Sequence, residues 1–129
     1  MIYVADTHAL VWFLERNPRL PEQIRSVLRS AEAAIVIPTI CLAELVHLSR
    51  RGRIRANLPR LREELLTVGN CRIYPLDDAV VELLPEGLDI HDAIVVATAI
   101  LCGRMMGQPV RLLTCDKVIA ESGLVQTLW

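Results

Sequence analysis

Four carboxylates, Asp6, Glu44, Asp92 and Asp116, lie in four separated segments of a 129-residue chain. Asp6 closes the apolar run Ile2-Tyr3-Val4-Ala5, and Asp116 follows Val110-Arg111-Leu112-Leu113-Thr114. Both runs read as buried strands. Glu44 falls in the second turn of a helical stretch that follows the strand-like run Ala34-Ile35-Val36-Ile37-Pro38, and Asp92 in the first turn of the longest helical stretch. In open α/β sheets, ligands bind outside the carboxyl ends of the strands. If the strands are parallel, Asp6 and Asp116 lie at that edge, and so does the start of the helix carrying Glu44. The helix of Asp92 must run back down the sheet to feed the strand before Asp116, so its first turn lies there too. Two carboxylates about 6 Å apart at an effective dielectric near 20 repel by roughly 3 kcal/mol. Either some of them hold protons with raised pKa values, or a divalent cation neutralises them. An all-oxygen set favours a hard ion, Mg²⁺ or Mn²⁺. Such an ion keeps waters and acts on phosphates, which makes metal-assisted phosphodiester hydrolysis the inferred reaction class.

These acids need a scaffold, and the chain reads as one. The pattern predicts a short helix over Thr7–Glu15, closed by Asn17-Pro18, then a second helix with Pro21 in its first turn and Ile24, Val27 and Leu28 as its apolar stripe. Thr39 is placed to cap the helix after the second strand, which Gly52 stops. Leu58–Val68 is helical by spacing, and Cys71–Pro75 is a third short strand. Asp77 or Asp78 caps a brief helix through Leu84, and Asp89 opens the long helix to about Met106, broken by Gly107-Gln108-Pro109. After the fourth strand, Val118–Ser122 forms a last short helix and Leu124–Trp129 a fifth, edge strand. Strands alternating with helices predict an α/β sandwich around a mainly parallel sheet of four to five strands. Residues 1–129 read as a single domain, with no repeat, linker or low-complexity tract.

Composition narrows the class further. The chain is 53% hydrophobic with a mean hydropathy of +0.38, which excludes a disordered chain. Its formal net charge of −1 carries no nucleic-acid signal, although Lys117 is the one Lys among 14 basic residues, the rest being Arg. Cys41, Cys71, Cys102 and Cys115 form no C-x-x-C pair and have no matching His spacing, so a zinc or redox motif is not expected. Buried free thiols in a reducing cytoplasm are. The first residues enter a strand with no basic leader, so no signal peptide is expected. The longest apolar run, Ala93 to Cys102, is about half of a membrane span. A soluble, cytoplasmic protein is expected.

The motif contexts go beyond the acids themselves. Asp6-Thr7-His8, Ala43-Glu44-Leu45, Asp92-Ala93-Ile94-Val95-Val96-Ala97-Thr98-Ala99 and Leu113-Thr114-Cys115-Asp116 resemble, in order and spacing, the PIN domain. More narrowly they resemble the VapC-type ribonuclease toxins of prokaryotic toxin–antitoxin pairs, over nearly the whole length from Ile2 to Ser122. Cys102–Arg111 is longer than is usual in that family. The resemblance implies a Mg²⁺- or Mn²⁺-dependent endoribonuclease with Asp6, Glu44, Asp92 and Asp116 as catalytic metal ligands. It implies Thr7 or Thr114 as supporting hydroxyls, a cognate antitoxin as partner, and a homodimer or toxin–antitoxin hetero-oligomer. In the resembling toxins the antitoxin's tail covers a groove formed by the early helices, so exposed apolar residues there would face a partner.

Each residue also has a plainer reading. Asp6 and Asp116 are placed to cap the helices that follow them. Asp89-x-x-Asp92 resembles a capping box, which makes Asp89 the cap, bordering the site, and Asp92 the ligand. His8 and His91 adjoin motif acids, but packing or substrate contact suits them better than general-base catalysis. The Arg50–Arg62 run reads first as a solvated helix end and second as an RNA-phosphate contact. Among rival folds, a receiver domain wants paired acids after the first strand and a phosphoacceptor Asp after the third, where Tyr74-Pro75-Leu76 stands. A haloacid-dehalogenase-type phosphatase wants Asp-x-Asp where His8 takes the third place, and no Gly-rich turn suits a nucleotide-binding domain. The remaining alternative is a catalytically silent PIN-like module that binds RNA or protein, which would be expected to have lost an acid.

Overall fold

The computed structural model describes residues 1–67 and 70–129. Five strands, β1 (Ile2–Ala5), β2 (Ala34–Pro38), β3 (Cys71–Tyr74), β4 (Val110–Leu113) and β5 (Gln126–Leu128), form one sheet in the order β3-β2-β1-β4-β5. All four pairings are parallel, with Val4 registered against Val36 on one side and Leu112 on the other. Ile2, Val4 and Ala5 are all buried, as expected of a central strand covered on both faces. The chain winds outward from β1 to β2 and β3, then returns to place β4 and β5 on the other side. That reversal puts a topological switch point at the carboxyl ends of β1 and β4.

Among the described residues, seven α-helices connect and flank the strands: α1 (Thr7–Leu14), α2 (Glu22–Arg29), α3 (Thr39–Arg50), α4 (Leu58–Leu61), α5 (Asp78–Glu82), α6 (Ile90–Met106) and α7 (Lys117–Ser122). Every connection that matters for the site starts a helix at a strand's carboxyl end: β1 into α1, β2 into α3, β4 into α7. The helix α6 is apolar on nearly all sides, Ala93 through Ala99 being buried, because it packs against both the sheet and neighbouring helices. Gly107 ends it at φ +60, a left-handed turn that glycine enters without a Cβ clash. Among the described residues no helix is long and apolar enough to cross a membrane.

Several local expectations change. Pro21 stands one place before α2, where its carbonyl accepts from Ile24 and Arg25. Thr39 does not cap α3: it is already helical, and its Oγ1 accepts from the Leu76 backbone, tying α3 to the strand β3 exit. The Leu58–Val68 stretch is α-helical only to Leu61 and continues as a π turn over Arg62–Leu66, while Val68 lies outside the described residues. Of Asp77 and Asp78, Asp77 caps α5 by accepting from the Val80 backbone at 3.0 Å. The apolar stripe of α2 turns inward, with Ile24 and Leu28 buried and Val27 half-buried, so no exposed apolar face remains on that helix. Cys41, Cys71 and Cys102 are buried as expected, but Cys115 is exposed.

Candidate active site

Asp6 is the residue the fold fixes most firmly. It follows the central strand, is 6% exposed, and its backbone nitrogen donates to Leu113 of β4. Its Oδ1 accepts from the Thr7 backbone at 2.8 Å and faces the Cys41 thiol at 3.8 Å. Its Oδ2 accepts from the Thr114 hydroxyl at 2.8 Å. Thr114 in turn accepts from the Asp116 backbone at 3.1 Å, so one buried hydroxyl couples the acids that follow β1 and β4. Each carboxylate oxygen has two lone pairs, which leaves Asp6 acceptor capacity for a cation.

The other three acids reach the same place from three further elements. Asp116 caps α7, its Oδ1 accepting from Val118 at 2.8 Å and Ile119 at 3.1 Å. Glu44 projects from α3 and Asp92 from the first turn of α6. Asp6, Glu44, Asp92 and Asp116 line one cleft of about 230 Å³ together with His8, Asp89, His91, Thr114 and Cys115. Asp92 feels the crowding: burial, then the charges of Asp116 and Asp6, push its carboxyl up from the ordinary range, against a smaller opposing pull from His91. The His91 ring bridges two of the acids, with Nε2 3.1 Å from Glu44 Oε2 and Nδ1 3.6 Å from Asp92 Oδ1. Nε2 is off the line of a hydrogen bond despite this distance and is a buried nitrogen with no hydrogen-bond partner.

The sequence model of the PIN domain matches residues 3–122. The chain belongs to the PIN domain family. Solved structures agree in fold. A chain of VapBC2 from Rickettsia felis, in a complex bound to a DNA fragment from their promoter, superposes with a TM-score of 0.68 at 15% identity, covering 99% of this chain and 98% of that one. A chain of FitAcB from Neisseria gonorrhoeae superposes with a TM-score of 0.62 at 17% identity, covering 99% and 97%. No curated protein sequence matches the chain.

In this PIN domain the structure also sorts the residues around the acids. Thr114 lines the cleft, whereas Thr7 is buried beneath it with a hydroxyl that has no hydrogen-bond partner. Asp89 borders the cleft from the position before α6, and its carbonyl, not its side chain, accepts from the helix. His8 is exposed at the rim and packs edge-on to Trp12. Arg50, Arg51 and Arg53 are exposed at the far end of α3, about 9 Å along the axis beyond Glu44. Further along the run, Arg60 donates to the Leu14 carbonyl, and Glu15 accepts from the Arg55 and Ala56 backbones. That part of the run fastens a loop to the end of α1.

Two residues beside the acids read from sequence only as buried thiols. Cys115 opens onto the cleft beside Asp116. Cys41 sits in the first turn of α3, three residues before Glu44, so both fall on one helical face. Among the described residues, the one group of three metal-binding side chains with ligand atoms all within 4.8 Å is Asp6, Cys41 and His91, not three of the acids. The acids instead stand around the cleft with the His91 ring between two of them. Four carboxylates at a strand-end cleft nonetheless fit a hard divalent ion held with water, since such an ion needs only one or two direct carboxylates.

Proposed function

We propose that this PIN domain is a Mg²⁺- or Mn²⁺-dependent endoribonuclease, the toxin of a toxin–antitoxin pair, hydrolysing RNA phosphodiester bonds in the cytoplasm. The observation that carries the reading is the convergence of Asp6, Glu44, Asp92 and Asp116 from four elements on one cleft at the switch point of the sheet. Asp6, Glu44, Asp92 and Asp116 would hold the ion, directly or through its waters, and the ion would supply Lewis-acid stabilisation of charge on a phosphoryl oxygen.

The chain's own groups supply the rest. The Thr114 hydroxyl fixes the Asp6 carboxylate and so sets one fixed wall of the site. Asp116 is held by the α7 backbone through Oδ1, which leaves its second oxygen directed by that helix cap. Asp92 and Glu44 flank His91, whose ring separates two negative charges that would otherwise repel across a partly dry cleft. Substrate would bring its phosphates to a site that is strongly acidic without a cation, so binding and ion loading are coupled.

The toxin assignment rests on the VapC-like order of the four motifs and on the fold shared with VapBC2 and FitAcB. A cognate antitoxin is the partner, and the assembly is a homodimer or a toxin–antitoxin hetero-oligomer. The test is to incubate purified, antitoxin-free protein with structured RNA in Mg²⁺ or Mn²⁺, then with chelator, beside Asp6→Asn and Asp92→Asn. Cleavage that needs both the ion and the two carboxylates is expected, with the fold of each variant intact by circular dichroism. No cleavage of any RNA, with no ion binding by calorimetry, would assign the cleft to a silent binding module instead.

A further inference from the structure

The cleft has an inner wall of different chemistry from its acidic rim. Asp6 at the end of β1, Cys41 in the first turn of α3 and His91 in the first turn of α6 each offer a ligand atom within 4.8 Å of the other two. Oxygen, sulfur and nitrogen together form a donor set that hard ions do not favour and borderline ions do. His91 Nε2 is buried and lacks a hydrogen-bond partner, and the thiol faces the Asp6 carboxylate at 3.8 Å. We propose that Asp6, Cys41 and His91 form a second cation site in the cleft, selective for a borderline divalent ion such as Zn²⁺ and mutually exclusive with the hard ion.

Zinc–sulfur and zinc–nitrogen bonds of about 2.3 and 2.0 Å put tetrahedral ligands about 3.5 Å apart, so the three atoms must close by roughly 1 Å. The His91 side chain is 26% exposed and supplies that movement by turning inward. On binding, the sulfur–hydrogen bond of Cys41 breaks, its proton passes to buffer, and the sulfur lone pair forms the bond to the ion. Glu44, whose Oε2 already lies 3.1 Å from His91 Nε2, or a water fills the fourth place. Because Asp6 belongs to both sets, the borderline ion blocks the nuclease proposed above. Its binding does not depend on that activity.

The experiment titrates metal-free protein with Co²⁺, a coloured substitute for Zn²⁺, and follows absorption. Equimolar binding with a sulfur-to-cobalt charge-transfer band and the strong visible bands of a four-coordinate ion is expected, both lost on adding Zn²⁺. Removing a ligand costs at least as much as removing a group that orients one, so Cys41→Ser and His91→Asn weaken Co²⁺ binding by at least about 10- to 100-fold. Cys41→Ser also abolishes the sulfur band, while Cys115→Ser keeps it. Since Cys41 is a core residue, His91→Asn, on a partly exposed ring, provides the variant whose folding is not at issue. Absence of a sulfur band in the native protein overturns the proposal. So does a band that survives Cys41→Ser and disappears in Cys115→Ser. In Mg²⁺-driven cleavage, Zn²⁺ inhibits the native protein, and an RNA-inactive protein that still shows the band separates failure of the nuclease reading from failure of this one.

Discussion

The Thr114 hydroxyl spends its single proton on Asp6 and accepts from the Asp116 backbone, inside a site where Thr114 is 3% and Asp6 6% exposed. Valine has the same shape without the hydroxyl, so Thr114→Val leaves a buried carboxylate oxygen one donor short. The loss is about 1–3 kcal/mol of stability by denaturant unfolding, since the unsatisfied group is charged and buried. Ion affinity by calorimetry falls about 10- to 100-fold, the usual consequence of releasing a ligand from its orienting partner. Unchanged affinity would make Thr114 a structural residue only. Thiol chemistry tests the other residue-level finding. Of the four cysteines only Cys115 is exposed, so a thiolate-directed alkylating agent reacts with that thiol first in the native state and with all four after denaturation. Mass spectrometry of the native adduct reads which cysteine carries it, and prior labelling of Cys71 would contradict the burial described. From sequence all four cysteines looked equally like core residues. Cys41 lies between Ile40 and Leu42, Cys102 follows Ile100-Leu101 and Cys71 opens a strand-like run, but Cys115 sits between Thr114 and Asp116 in a loop, and that context was the available signal.

At the scale of elements, the capping role of Asp116 and its proposed ion-binding role are separable. It caps the six-residue helix α7 through one oxygen. Asn caps about as well as Asp, so Asp116→Asn keeps the cap and removes the charge, whereas Asp116→Ala removes both and is about 1 kcal/mol less stable than the asparagine variant. With the proposed function, cleavage is lost in both variants, and the alanine variant has the lower denaturation midpoint of the two. Equal midpoints would mean the cap contributes nothing to α7. The two readings of Asp116 made from sequence, helix cap and site acid, thus meet in one residue. Most elements were legible for the same reason: continuous apolar runs ended by Asp, Pro or Gly fix strands and helix ends locally. What was not legible depends on contacts distant in sequence. The Leu58, Leu61 and Leu65 spacing suits an α-helix, and nothing in it distinguishes the π turn over Arg62–Leu66. Thr39 has the right type and place for a cap, but its hydroxyl is engaged by Leu76 from beyond β3. That the four acids share one cleft was legible because each lies just after a strand or within the first two turns of a helix, while the closeness of Cys41 and His91 needed the packing of α3 against α6.

For the whole molecule, two pH- and ion-linked effects follow from burying ionisable groups in so small a domain. Burial pushes the Cys71 thiol up from 9.0 to about 11, and burial raises Cys41 and Cys102 as well. Between those values the unfolded chain has released a proton that the folded chain keeps, so stability is full below pH 9 and falls as pH rises toward 11. Thermal midpoints therefore decline as pH rises through that window, and Cys71→Ala makes the decline shallower. The acidic cleft works in the opposite sense once an ion is present. Burial and the Asp116 and Asp6 charges already raise Asp92, so ionising Asp92 opposes folding until a cation offsets the repulsion. An ion that binds the folded state alone stabilises it by about 2.7 kcal/mol at 100 times its dissociation constant. For a domain of this size that is a rise of roughly 10 °C in the unfolding midpoint. Scanning calorimetry with Mg²⁺ or Mn²⁺ should show the rise, chelator should reverse it, and Asp6→Asn should abolish it. A rise that survives Asp6→Asn would place the ion elsewhere on the surface, because Asp6 is the acid that the sheet, Thr7 and Thr114 hold in place before any ion arrives.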